Sequence, residues 1–223
     1  MKEPLEDIVF ITKPIEKDLQ DIKSWCEDYN YSNAESAFKR NNLFVIHYLD
    51  KAIAFLCYRR EKIVATIDFA EVQSIFRNMQ VGGYMLESTL KHFKRTRIKI
   101  AELYCTSIKS HRHAKRHGFI PIIKAHDDKK WMFRPLVETR KPCKNSKVLF
   151  AIWKNTTGSY DQKPDVSWAL DQDLEHPIIA YCYGDWTVGI IDNGNVVKET
   201  VFKRFFKGIE YDYVYIVGNK INE

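Results

Sequence analysis

Apolar positions in the first third of the chain fall into runs of two different periods. Ile8-Val-Phe-Ile-Thr12 is a short unbroken run and predicts a first strand. Beyond Pro14, the apolar positions Ile15, Leu19, Ile22 and Trp25–Cys26 recur every three or four residues, the spacing of an amphipathic helix. Asn33 offers a cap for a second short helix running through Phe38. The period then shortens. Leu43–Leu49, Ala52–Tyr58 and Ile63–Val72 are β-branched and aromatic runs parted by brief polar breaks, which predicts an antiparallel meander. Helical spacing returns at Val81, Met85, Leu86, Leu90 and Phe93, and strand character at Ile98–Cys105. Strand, glycine-bearing turn, helix and strand in that order predict a parallel βαβ unit. A last helix over about Ile108–His117 should stop at Gly118, a natural residue for the left-handed position after a helix.

Phe119–Ile123 and Trp131–Val137 read as two closing strands around the polar stretch Lys124–Lys130. Residues 138–147 are polar, include Pro142 and read as a linker. Four apolar runs follow: Val148–Trp153, Ile178–Tyr183, Thr187–Ile191 and Tyr213–Val217. Asn193-Gly194 between Ile191 and Val196 is a hairpin signal, and Val201–Phe206 fits either a strand or a short helix. The expected organisation is a mixed α/β domain over 1–137, the linker, and a small α+β or mostly β domain over 148–223. Trp153, Trp168 and Trp186 fit either the core of that second domain or a binding platform.

Composition changes this picture little. Of the 223 residues, 45% are hydrophobic and 29% charged, ordinary for a globular chain. No apolar run approaches the roughly 20 residues that span a bilayer, and the first residues lack the apolar stretch of a secretory signal. Five widely spaced cysteines form no Cys-x-x-Cys pair and read as reduced thiols in a cytoplasmic protein. Charge is more telling. Residues 138–223 hold 11 Lys+Arg against 12 Asp+Glu, a net of −1, leaving 24 against 17, a net of +7, for residues 1–137. The excess is concentrated between Lys91 and His117, with nine Lys and Arg and a single acid, Glu102. Such a patch suits phosphate-bearing ligands, CoA or nucleic acid among them. His92, His111, His113 and His117 lack the third carboxylate or cysteine of a metal site, so no metal is expected and they extend the basic face.

The chemistry is concentrated in Val72-Gln-Ser-Ile-Phe-Arg77-Asn-Met-Gln80-Val-Gly82-Gly83-Tyr84-Met-Leu86, which leaves a strand and opens a helix. Glycines there let a ligand approach the backbone, and the unbonded amides of a first helical turn receive phosphate. This segment resembles the pyrophosphate loop of the GNAT N-acetyltransferase superfamily, (Gln/Arg)-x-x-Gly-x-(Gly/Ala). Arg77, Val81, Gly82 and Leu86 stand where that pattern places its Arg, its apolar residue, its second glycine and its helix Leu. Ala114-Lys-Arg-His-Gly118-Phe119 is similar to the family's later helix ending in Gly-Phe, and the order of elements over 8–137 matches as well.

The resemblance implies an acyl-CoA-dependent N-acyltransferase with acetyl the expected group, an amine acceptor and acetyl-CoA as co-substrate. It implies that Arg77 and the backbone of Gln80, Val81, Gly82, Gly83 and Tyr84 hold the diphosphate. It also implies that the strand backbone near Glu71, Val72 and Gln73 receives the acyl-pantetheine arm. Gln80 replaces the family's first glycine, Ser107 its pantetheine-binding Asn, and Ala114 the Tyr that serves as general acid. Two-residue alternation puts Thr66, Asp68, Ala70 and Val72 on one face, which makes Asp68 the expected base. A CoA-binding module without turnover and a protein acting on nucleic acid through residues 91–117 are the alternatives.

Overall fold

A computed structural model describes residues 5–124, 130–153, 163–172, 175–183, 186–201, 209–211 and 214–217. The chain separates into two compact units, Met1–Ile120 and Pro121–Glu223.

The first unit runs β1 (Ile8–Ile11), α1 (Glu16–Lys23), α2 (Asp28–Lys39), β2 (Leu43–Tyr48), β3 (Lys51–Glu61), β4 (Val64–Val72), a 3-10 turn (Ser74–Phe76), α3 (Val81–Lys94), β5 (Ile100–Tyr104) and α4 (Ile108–Arg116). Strands β1 to β4 pair antiparallel in sequence order, β2 to β4 as the meander predicts. Strand β5 pairs parallel to β4, so β4, α3 and β5 form the expected βαβ unit. The β2–β3 turn is two residues long, with Leu49 and Asp50 both left-handed at φ 48° and 59°.

Alternation sends the two faces of this sheet to different helices. Val45, Phe55 and Cys57 pack with Leu19 and Ile22 of α1 and with Ala34 and Ala37 of α2. Phe44 and Tyr58 point the other way and stack at 4.7 Å, with Phe93 of α3 5.1 Å from Tyr58. His92 also joins this layer, its ring 5.0 Å from Phe44. It is therefore a packing residue, and burial lowers its pKa. Helix α2 begins at Asp28, five residues before the Asn33 expected to cap it. Tyr31, Ala34 and Phe38 repeat at helical spacing, and that stripe extends the helix backwards.

All described secondary structure of the second unit is strand. After β6 (Ile120–Pro121) at the boundary come β7 (Ile123–Lys124), β8 (Trp131–Pro135), β9 (Val148–Trp153), β10 (Val166–Ala169) and β11 (Ile178–Tyr183). Then follow β12 (Thr187–Asp192), β13 (Asn195–Val201), β14 (Ile209–Tyr211) and β15 (Val214–Val217). One sheet, antiparallel throughout, has the order β10-β9-β12-β13; the other has the order β14-β15-β11-β7, antiparallel except that β7 runs parallel to β11. Phe150, Ile152, Trp168, Trp186 and Val188 pack with Ile178 and Ala180 of β11, so residues of both sheets share one core. Trp168 and Trp186 belong to that core, and Trp153 is buried as well. Asn193 and Gly194 make the expected two-residue hairpin, at φ 48° and 85°. Strand β10 has no counterpart in the sequence reading. Val201 ends β13, while most of the ambiguous 201–206 segment and of the polar stretch 124–130 lies outside the described residues.

Candidate functional site

The site grows from a place where two strands part. Strand β4 pairs with β5 from Val64↔Ile100 to Ile67↔Leu103 and no further. Beyond Ile67 it remains paired with β3 alone, through Ala54↔Val72. Gln73 N–H donates to the Ile53 carbonyl at 2.9 Å. Bonded and unbonded pairs alternate along an antiparallel ladder, so Glu71 also bonds to β3, while the amides of Ala70 and Val72 turn to the open edge. The backbone donors expected at Glu71 and Gln73 are thus spent within the sheet, and Val72 is the expected residue on the open side.

A cavity of about 350 Å³ fills the gap. Its walls are largely apolar: Leu56, Ile67, Val72, Met85, Leu86, Leu103, Cys105 and Ala114. A second cavity of about 800 Å³ shares Phe69, Ala70, Val72, Ser110 and His113 with the first. It adds Asn30, Glu71, Arg77, Ser107, Lys109, Arg112 and Arg116, four of them cationic. Part of the basic run therefore lines a concave surface.

Helix α3 starts beside both cavities. Its N-cap Gln80 is left-handed at φ 63° and makes no side-chain cap bond. The first intrahelical bond is Tyr84 N–H to the Gln80 carbonyl at 3.0 Å. The amides of Val81, Gly82 and Gly83 therefore have no acceptor within the helix. Gly82 packs against Val72: an added Cβ would lie 3.7 Å from its Cγ2. Gly83 faces α4, where a Cβ would lie 3.6 Å from the His117 ring and 3.9 Å from His113. Arg77 folds back onto the end of β4, with Nε donating to the Val72 carbonyl at 3.0 Å and Nη2 to Glu71 at 3.3 Å. Glu71 also accepts from Asn30 at 2.9 Å. Cys26 donates to it as well, and burial first, then Glu71, pushes that thiol up to about 12.

Ser107 caps α4, its hydroxyl accepting from Ser110 N–H at 3.1 Å. One turn later His113 lines both cavities. Burial lowers its pKa, as do the neighbouring His117 and Arg116, while the Gly82 backbone partly restores it. His117 takes Glu87 of α3 at 2.7 Å through Nδ1, and the two imidazoles lie 4.6 Å apart. Ala114, at the position of the family's acid, is buried in the cavity wall.

The alternation that selected Asp68 breaks at Asp68 itself. The pairs Cys57↔Phe69 and Tyr58↔Ile67 leave Asp68 without a partner in the ladder, a β-bulge. Phe69 packs with the cluster under α1 and α2, and Glu71 reaches Asn30 of α2, yet Ile67, Asp68, Phe69, Ala70 and Val72 all line the apolar cavity, so Asp68 does border the same cavity as Val72. Both Asp68 carboxylate oxygens accept from Arg59, at 2.8 and 3.0 Å. That bond raises the Arg59 pKa. Thr66, opposite Arg59, donates to Glu102, its partner on β5. Burial pushes the Glu102 carboxyl up, with Thr66 and Arg59 acting against it. Glu102 stands one residue before the last β4–β5 pair. As the one acid in the basic run, it carried a signal that sequence reasoning passed over.

No protein-family model matches the chain, and no curated protein sequence matches it. Several solved structures are similar to part of it. Ard1 from Thermoplasma volcanium aligns over 59% of this chain and 99% of its own, at 17% identity and a TM-score of 0.48. The ribosomal-protein-S18-alanine N-acetyltransferase from Escherichia coli aligns over 59% and 96%, at 15% identity and a TM-score of 0.45. The PaiA N-acetyltransferase from Thermoplasma acidophilum, in complex with coenzyme A, aligns over 58% and 98%, at 12% identity and a TM-score of 0.46.

Proposed function

We propose that the first unit binds an acyl-CoA, with acetyl-CoA the expected form, and transfers the acyl group to an amine. The observation that carries this reading is the parting of β4 and β5 beyond Ile67 and Leu103. It opens an apolar slot that continues to an uncapped helix start and a basic cavity. A pantetheine arm needs a narrow slot with strand amides along one side, which Ala70 and Val72 supply. A diphosphate needs clustered N–H donors, and the amides from Val81 to Gly83 supply those. Arg77, Lys109, Arg112 and Arg116 face the remaining phosphate charge.

In the reaction the amine nitrogen bonds to the thioester carbonyl carbon and the carbon–sulfur bond breaks. The proton lost by nitrogen passes to a base, and water protonates the departing thiolate. The base is one of two carboxylates near the point where the strands part, and Asp68 lines the apolar slot itself. Asp68 is the candidate from the sequence. Glu102 is the candidate that burial favours, because a raised carboxyl accepts a proton more readily near neutral pH.

A second reading is a CoA-binding module without turnover. Ala114 favours it, since the cavity wall carries a methyl group where the family pattern has a phenol. Calorimetric titration with acetyl-CoA tests binding, and thiol release across a panel of primary amines tests transfer. Tight binding with release on one amine supports the enzyme. Tight binding with none supports the module. Absence of binding removes both.

A further inference from the structure

The second unit holds a cavity of about 570 Å³ that acyl transfer does not use. Its wall includes Glu138, Arg140, Lys141, Cys143, Gln172 and His176. Arg140 lies in the polar segment read from sequence as a linker, yet it is only 7% exposed. Its Nε donates to the His176 carbonyl at 2.6 Å and Nη1 to the Ala169 carbonyl at 3.1 Å. Its backbone N–H donates to the Pro177 carbonyl at 3.0 Å.

These bonds fix the guanidinium without neutralising it. All the acceptors are uncharged. Among the described residues no carboxylate pairs with Arg140, and Nη2 has no protein acceptor. Glu138, the acid on the wall, pairs instead with His176 Nε2 at 3.1 Å and is itself 89% exposed. A buried cation is costly unless an anion meets it. Two neutral carbonyls therefore hold a planar fork with donors to spare on a wall of ligand-sized volume.

We infer that this cavity is an oxyanion site, in which Arg140 receives a carboxylate or phosphate group of a small molecule and Lys141 adds a second positive charge. The inference stands apart from acyl transfer, because every residue in it belongs to the second unit.

Cys143 lines the same cavity as a half-buried free thiol and gives a local readout. The full chain is alkylated with iodoacetamide in sodium chloride, sodium phosphate and sodium succinate of matched ionic strength, and Cys143 labelling is followed by peptide mass spectrometry. Phosphate or succinate should slow labelling about threefold at two-thirds occupancy, and the more protective anion identifies the head group. Arg140→Gln should abolish the protection. Should that variant lose its near-ultraviolet dichroism, Lys141→Ala decides instead, since it keeps both carbonyl bonds of Arg140 and should weaken protection. Equal Cys143 labelling of the native chain in all three salts overturns the inference. Protection that survives Arg140→Gln, or is unchanged in Lys141→Ala, overturns it too.

Discussion

Leu49 occupies a conformation that its side chain does not favour. The turn between β2 and β3 needs two left-handed residues in succession, and a branched side chain there costs about 1–2 kcal/mol. Leu49 is 74% exposed, so replacing it removes little packing. Leu49→Asn should therefore stabilise the protein by about 1 kcal/mol, read as a higher urea midpoint at unchanged slope. Glu102 presents the opposite case of a charge placed where burial opposes it. Its folded-state pKa is raised, so between the usual carboxyl value and the raised one the folded protein holds a proton that the unfolded chain has released. Stability therefore declines as pH rises through that window. Glu102→Gln should remove this decline, as unfolding curves across the acid range will show. If Glu102 is also the base, the same substitution should lower kcat at least tenfold and flatten the acid limb of its pH profile, with acetyl-CoA affinity retained. Asp68→Asn should do this instead if Asp68 is the base, and Arg59 would then be its positioning partner.

The start of α3 shows why two adjacent glycines need not share a role. Gly82 lines the apolar cavity beside Val72, whereas Gly83 turns toward His113 and His117. In both places an added methyl would make ordinary contacts in the free protein. Alanine at either position should leave stability unchanged or raise it by up to about 1 kcal/mol. Acetyl-CoA affinity should separate them, with Gly82→Ala weakening binding at least tenfold and Gly83→Ala leaving it near the native value. Equal affinities in isothermal titration would mean that the diphosphate does not rest on this turn. The order of elements and the place of this turn were legible in the sequence, because hydrophobic period and a strand–glycine–helix junction are local signals. The bulge at Asp68 was not, since it arises from the pairing of Tyr58 with Ile67 on a strand brought alongside by the fold. The spending of the Glu71 and Gln73 amides on β3 was hidden for the same reason. Helix α2 was placed too late because a polar cap residue is a weaker signal than the apolar stripe it interrupts. Strand β10 was missed because Val166-Ser-Trp-Ala169 is too short to show alternation before its partner β9 is known.

One buried cluster of the first unit sets α1 and α2 against the sheet, and among the described residues one cluster of the second unit is built from strand and adjoining loop residues. A ligand bound wholly within the first unit stabilises that unit by mass action, by about 2.7 kcal/mol when its concentration is a hundred times Kd. Differential scanning calorimetry of the full chain should therefore resolve two transitions. Acetyl-CoA should raise only the one that Leu49→Asn also raises, since both act within residues 1–120. The other transition should respond to phosphate or succinate and to changes at Arg140, and should ignore acetyl-CoA. If acetyl-CoA moves both transitions together, the units unfold as one body, and a ligand of either site would then act on the stability of the other. Two transitions moved by two different anions would make this chain a pair of separate binding devices, each with cations lining a cavity of its own.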